Sequence, residues 1–327
     1  TEDPTAKKTL WEDNFEGYAN IDGVKAKYEN WPKEWRSSVT EENGSKVLSV
    51  MPNDRVDSSI ENPDWQQRTA QFYKTFENAA TGRYGFSFSV KPASTGNTNF
   101  ILRDGNGYEI MAPRFAGQTV LLGTDQDCWN NTIGQIKVGT WYDVNMVLDL
   151  DNDKLEIEVK DKDGNTLHGE QEYTGGFNCF VMGVYSEEYN GAMFDNLKVV
   201  KNPDDLPEYQ ELPFTDNFNS YTSIADAGVN WICWAPENNT NPSKIVEGKS
   251  GASDKAYYLG LSQGADNTSA TKQFAKKITT GRLNVEFDIK PGDNVSTHVK
   301  FNTEGTGNAD NKGFLPLMYF ENGSVGT

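Results

Sequence analysis

The sequence predicts an all-β chain built as two antiparallel β-sandwich domains in tandem, and three observations carry that expectation. Short segments alternate apolar and polar residues between turns rich in Gly, Asn and Asp. Runs rich in Ala, Leu, Glu and Lys with a helical period are absent, and the only helical hint is the short stretch 62–67 (NPDWQQ). The third observation is a repeat: 82–92 (GRYGFSFSVKP) returns as 281–291 (GRLNVEFDIKP), each reading as a half-buried strand stopped at Lys-Pro. The repeat extends upstream, where 13–18 (DNFEGY) returns as 216–221 (DNFNSY) at nearly the same distance from the Gly-Arg segment. Between these anchors Trp31 and Trp35 are answered by Trp231 and Trp234, and 45–50 by 254–259.

Residues 1–9 read as a flexible N-terminus. Residues 10–15 alternate so that Trp11 and Phe15 share a face, a first strand ended by Gly17. Strands follow at 46–50, 69–76 and 82–92, then a hairpin of 99–103 and 108–112 about the turn at 104–107. Two shorter strands fall at 119–122 and 131–134. The clearest hairpin pairs 141–150 with 155–159 through Asp151-Asn152-Asp153. Strands at 179–185 and 192–200 close the first domain, which spans 10–201. Residues 202–211 read as a stiff, solvated linker, and 212–327 as the second domain. That second copy has no counterpart of the 141–159 hairpin or of the closing strand. A half sandwich exposes apolar faces and unpaired edges, so the expectation is a fragment of a longer protein or a domain completed by another polypeptide.

Composition narrows the partners. A formal net charge of −18 argues against the phosphate backbone of nucleic acid and against anionic membranes, and is compatible with neutral glycans or cations. No apolar stretch is long enough to span a bilayer. Cys128, Cys179 and Cys233 are too few for a disulfide scaffold, and a Cys128–Cys179 bridge stays open.

The opening Asp13-Asn14-Phe15-Glu16, the strand from Trp141 to Asp149 with its hairpin ending in Lys162-Asp163-Gly164, the Gly183-Val184-Tyr185 strand and the terminal Phe194-Asp195-Asn196-Leu197-Lys198-Val199 together resemble the concanavalin A-like lectin and glucanase superfamily. The resemblance covers the first repeat and the front half of the second. It implies a jelly-roll sandwich, like laminin-G-like domains and many carbohydrate-binding modules, whose first and last strands lie side by side with Asp13 near Asp195. It also implies an extracellular or cell-surface setting, and a structural calcium for which Asp13, Glu16 and Asp195 are the ligand candidates.

A retaining glycosidase needs two carboxyls about 5 Å apart, and no Glu-x-Asp-x-x-Glu run occurs; Glu156 and Glu158 read as an exposed strand face. Gln135-Ile136-Lys137 lacks the His of jelly-roll lyases, and His168, beside turn residues, reads as solvated. Residues 161–165 (DKDGN) read as a hairpin turn rather than a calcium loop. No catalytic residue is assigned. Glycan binding needs aromatic faces interleaved with polar side chains. Trp65 with Arg68, Trp129 after Asp125, Tyr185 and Tyr189 around Glu187, and Trp31 and Trp35 near Arg36 have that mixture, although the recurrence of the last two suits a structural task as well. The expected function is therefore a non-catalytic, extracellular carbohydrate-binding tandem module of a larger protein. The alternatives are a structural or adhesive spacer, and a polysaccharide hydrolase or lyase with an unrecognised site.

Overall fold

The computed structural model describes residues 3, 5–31, 36–52, 65–234, 243–261, 267–276, 278–293, 295–302, 314–321 and 324–326. It divides into two compact units, Thr1–Ala275 and Lys276–Thr327. Over residues 8–201 of the first unit the strands are β1 (Lys8–Asp13), β2 (Glu29–Trp31), β3 (Ser38–Glu42), β4 (Ser45–Val50), β5 (Thr69–Ala79), β6 (Arg83–Lys91), β7 (Asn97–Arg103), β8 (Glu109–Ala116), β9 (Thr119–Gly123), β10 (Thr132–Gln135), β11 (Tyr142–Asp149), β12 (Lys154–Asp161), β13 (Thr166–Glu172), β14 (Phe177–Tyr185) and β15 (Ala192–Lys201).

These strands form two antiparallel sheets. The first runs β13-β12-β11-β6-β15-β4-β3, with β1 beside the second half of β15; the second runs β10-β9-β8-β7-β14-β5-β2. The first and last strands are thus neighbours, as the jelly-roll resemblance implies, with Asp13 opposite Leu197. Alternation explains how β6 builds the core: Tyr84, Phe86, Phe88 and Val90 point inward and are buried, while Ser87 and Ser89 face out. Inside, Phe88 stacks on Phe100 of β7 at 4.3 Å between centroids, and Phe100 stacks on Phe180 of β14 at 5.5 Å. This aromatic layer ties the sheets together.

Turn chemistry follows the sequence. Asp161 Oδ1 accepts the backbone N–H of Asp163 and Asn165, which closes the 161–165 hairpin as a turn. Two other expectations on this hairpin sheet are corrected. Glu158 is 5% exposed and accepts a hydrogen bond from Asn145 Nδ2, so it is not on a solvated strand face. His168, directly across from Glu158, is not solvated either: its ring stacks on Tyr209 at 3.6 Å and 12°.

Residues 202–211, read as a linker, are largely exposed and are tied to the sandwich at a few points. Asn202 Nδ2 donates to Ala6 O, Lys7 pairs with Asp204, and Arg83 pairs with Asp205. Beyond it, Gln135 on the edge strand β10 accepts the Cys233 N–H at 3.0 Å and donates to Cys233 O at 3.3 Å, while Lys137 pairs with Asp226. An amide locked onto a backbone peptide group, together with an ion pair, fixes 212–234 against the sandwich. The first compact unit includes this segment and runs on to Ala275.

His168 also makes a pH prediction. Burial, with Lys160 and Lys272 adding to it, pushes its imidazole down to about 4 from 6.5. The folded protein therefore holds fewer protons at this site than the unfolded chain, and the stack's contribution, complete above pH 6.5, is lost as pH falls toward 4. Melting curves from pH 7 to 4 should show the parent losing more stability on acidification than His168→Gln.

The turn after β1 has a counterpart downstream. Phe15 and Phe218 both take positive φ, 58° and 60°, beneath an Asp side chain that accepts their N–H. Lys46 Nζ and Lys255 Nζ donate to Tyr18 O and Tyr221 O respectively. Gly82 and Gly281 both sit in the left-handed region, φ 94° and 98°. The expected strand at 281–291 does not form: this stretch pairs with no strand among the described residues. The strands that flank its counterpart β6 are β11 and β15. In the second unit, Thr297–Asn302, Phe314–Glu321 and Ser324–Gly326 make a small antiparallel sheet.

Candidate functional site

The outward face of the second sheet carries the densest chemistry. Paired residues on adjacent strands point to the same side, so the registers set Trp31, Gln71, Gly183, Asn99 and Arg114 in one row across β2, β5, β14, β7 and β8. Four strand spacings separate its ends, about 19 Å. One row above lie Tyr185 and Asn97. On the other side Tyr73, Val181, Ile101 and Met111 form an apolar floor with Cys128 and Cys179, separate from the core between the sheets.

A bulge aims Arg114. Ile101 pairs with Met111 and Asn99 with Arg114, so Ala112 and Pro113 together oppose the single residue Phe100. Strict alternation from the outward Met111 would send residue 114 into the core; the extra residue turns it outward. Pro113 is tolerated there because a bulge requires no ladder N–H. Arg114 is only 6% exposed. Its Nε donates to Asn99 Oδ1 at 2.9 Å, Nη2 to Asp125 Oδ1 at 2.6 Å, and Nη1 approaches Cys128 Sγ at 3.6 Å. Three of its five N–H groups are thus engaged among the described residues. The Trp129 ring lies 5.3 Å from the guanidinium and is 50% exposed. Gly183, buried in the row between Gln71 and Asn99, lets the Gln71 side chain lie close over the sheet, since a Cβ there would fall 3.3 Å from Gln71 Cγ.

The sequence-derived candidates divide into separate groups. Tyr185, Arg68 and Tyr189 gather at the end of β14: Arg68 Nη1 donates to Glu187 Oε1 at 3.0 Å, the Tyr185 hydroxyl lies 3.5 Å from the same oxygen, and Tyr189 O accepts from Arg36. Gly96 permits this corner, since its φ is +77° and a Cβ would fall 2.2 Å from Tyr185 O. Trp129 stands at one end of the row and Trp31 at the other. Trp35 and the side chain of Trp65 lie outside the described residues; Trp65 begins a short 3-10 turn, Trp65–Arg68. Gln71, Asn97, Asn99 and Arg114 were not singled out from sequence. The polar alternation Asn97-Thr98-Asn99 was a usable signal, whereas the bulge that turns Arg114 to the outward face has none beyond Pro113.

Asp13, Glu16 and Asp195 are close in space but do not fit calcium. Asp13 Oδ2 accepts from the Tyr18 and Tyr28 hydroxyls and Oδ1 from Phe15 N–H. Glu16 Oε1 accepts from Ser45 Oγ and Lys46 N, and Asp195 from Asn196 N and Ser45 Oγ. The Lys46 ammonium is 2.9 Å from Tyr18 O, bringing its own positive charge to the turn. Burial, and then the Glu16 and Asp13 charges, lift the Asp195 carboxyl above its usual range. No group of three His, Cys, Asp or Glu side chains among the described residues is placed to hold a metal. A depression of about 450 Å³ beside this turn is lined by Glu12, Asp13, Tyr18, Lys27 and Lys198; it carries no exposed tryptophan and lies on the other sheet. Cys128 and Cys179 share the apolar floor as free thiols, both pushed up by burial, so no bridge joins them.

No protein-family model and no curated protein matches the chain. Solved structures similar to it include a sialidase, at 13% identity and TM-score 0.43 over 59% of this chain, which spans only 18% of that one. Lectin II from Ulex europaeus is 13% identical with TM-score 0.37 over 56% of this chain and 97% of its own. An alginate lyase of polysaccharide lyase family 7 is 13% identical with TM-score 0.36 over 51% and 82%. The strand order itself, with two antiparallel sheets and β1 laid beside β15, makes residues 8–201 an antiparallel β-sandwich of the jelly-roll type.

Proposed function

We propose that this sandwich is a non-catalytic carbohydrate-binding module of a secreted or surface protein, and that its saccharide lies along the row from Trp31 to Trp129. The observation that carries this reading is the polar row Gln71, Asn99 and Arg114 set between two tryptophans on one sheet face. Indole rings stack on the apolar C–H faces of a sugar, while the side-chain amides and the guanidinium fork bond to its oxygens. Tyr185 and Asn97 extend the same face by one row. Each element matches the chemistry of a sugar.

Affinity electrophoresis through neutral and acidic polysaccharides tests it. The parent protein should be retarded by at least one glycan, and Trp129→Ala or Asn97→Ala should weaken that binding about tenfold, near 1.4 kcal/mol. Arg114→Lys, which keeps the charge and loses the fork, should weaken it comparably. Absence of retardation by every glycan would favour a spacer, and release of reducing ends or unsaturated sugars would identify an enzyme.

A further inference from the structure

Three guanidiniums on the outward face of the second sheet and at its rim are already engaged by carboxylates. Arg114 Nη2 meets Asp125 Oδ1 at 2.6 Å, Arg103 Nε meets Glu109 Oε2 at 2.8 Å, and Arg68 Nη1 meets Glu187 Oε1 at 3.0 Å. The first pair differs from the others in burial. The Arg114 side chain is 7% exposed while Asp125 is 64% exposed, so the cation is walled in and its carboxylate stands in solvent beside it. All three nitrogens of Arg114 already donate, to Asn99, Cys128 and Asp125. A carboxylate or sulfate arriving on a sugar finds the place beside this guanidinium taken.

Resting on the saccharide reading, we propose that the row from Trp31 to Trp129 selects neutral, hydroxyl-rich glycans and turns away polyuronates and sulfated glycans, with Asp125 setting the choice. An acidic sugar meets cations whose charge is balanced within the protein, and nothing is gained by replacing one carboxylate with another. Further carboxylates wait nearby: Glu29 on the same face accepts from the Thr75 hydroxyl, and Asp127 beside Trp129 from the Thr124 hydroxyl. The hydrogen-bonding inventory points the same way. Gln71, Asn97 and Asn99 offer both donors and acceptors, whereas Asp125 and Glu29 only accept. A sugar hydroxyl can donate to a carboxylate and accept from an amide, but an ionised acid group can only accept. The carboxylates are thus partners for O–H groups and obstacles to anions.

Capture of the full chain on polysaccharide-coupled beads tests this, with galactomannan, xyloglucan, mixed-linkage β-glucan and pullulan as neutral probes and polygalacturonate and dextran sulfate as acidic ones. Salt at about 0.5 M screens the chain's overall charge of −18, so that the discrimination left is local. The parent should be held by at least one neutral glycan and pass the acidic beads. Asp125→Asn, which leaves the Arg114 charge unbalanced, should raise capture on polygalacturonate about threefold or more. Glu109→Gln, acting at Arg103, should raise it in smaller measure, and Asp125→Glu should keep the parent's selectivity. Parent capture on an acidic bead equal to or above that on every neutral one would overturn the inference and leave the saccharide reading standing. A lack of gain in both Asp125→Asn and Glu109→Gln would overturn it as well. Capture on no bead at all would remove the saccharide reading itself, so the two failures are read apart.

Discussion

Phe100→Ala is expected to cost about 3–5 kcal/mol of unfolding free energy, the usual range for deleting a buried phenylalanine. Phe100 is 1% exposed and stacks on Phe88 from the opposite sheet and on Phe180 from its own. Truncation removes the ring that both neighbours lean on. Neither neighbour can swing in to fill the space, because each is held by its own strand pairing. Urea titration should show the midpoint falling with little change in slope. Phe100→Leu, which keeps most of the volume, should lose substantially less. A loss below about 1 kcal/mol for the alanine variant would mean that the sheets do not depend on this aromatic layer.

Asp13→Ala is expected to cost about 2–4 kcal/mol, because it strips the acceptor from two tyrosine hydroxyls at once. The Tyr28 ring is 3% exposed, and its hydroxyl already receives Trp11 Nε1–H at 2.9 Å while donating to Asp13 at 3.0 Å. Burial, and then the Asp13 charge, hold this hydroxyl far above the ordinary tyrosine range, so it stays a proton donor in need of an acceptor. The Phe15 N–H, in a left-handed turn, loses its partner too. Asp13→Asn retains one acceptor and should retain part of the stability. Thermal melts in millimolar calcium and in chelator should coincide for the parent and should not rescue the alanine variant; a calcium-dependent recovery would reinstate the metal site. The same arrangement surrounds Asp216, which accepts from Tyr221, Trp231 and Phe218.

Much of the sandwich was legible in the sequence because its signals are local. Alternation placed β6, the β11–β12 hairpin and β15, and Asp-Asn turns marked their ends. The adjacency of β1 and β15 came from resemblance, since nothing local reports which distant strands pair. Long-range contacts account for the misreadings. Glu158 and His168 face each other across β12 and β13, which read as solvated until Tyr209, some 40 residues on, is laid on the His168 ring. The segment 281–291 has the strand pattern but lacks the neighbours that turn a pattern into a strand. On the saccharide face, aromatics drew attention to Trp129 and Trp31, while the polar floor between them is assembled from three strands and becomes visible only once their registers are known.

The bulge at Ala112-Pro113 makes the character of two environments depend on whether the residue count along β8 is odd or even. Removing one of these two residues would restore simple alternation and leave the guanidinium outward and Phe115 inward, because Met111 and Arg114 would then stand two positions apart. The spare residue is therefore the one place along this strand where a deletion keeps every other side chain on its own face. Single-residue deletions along β8 outside the bulge should be far more damaging than substitutions at the same positions.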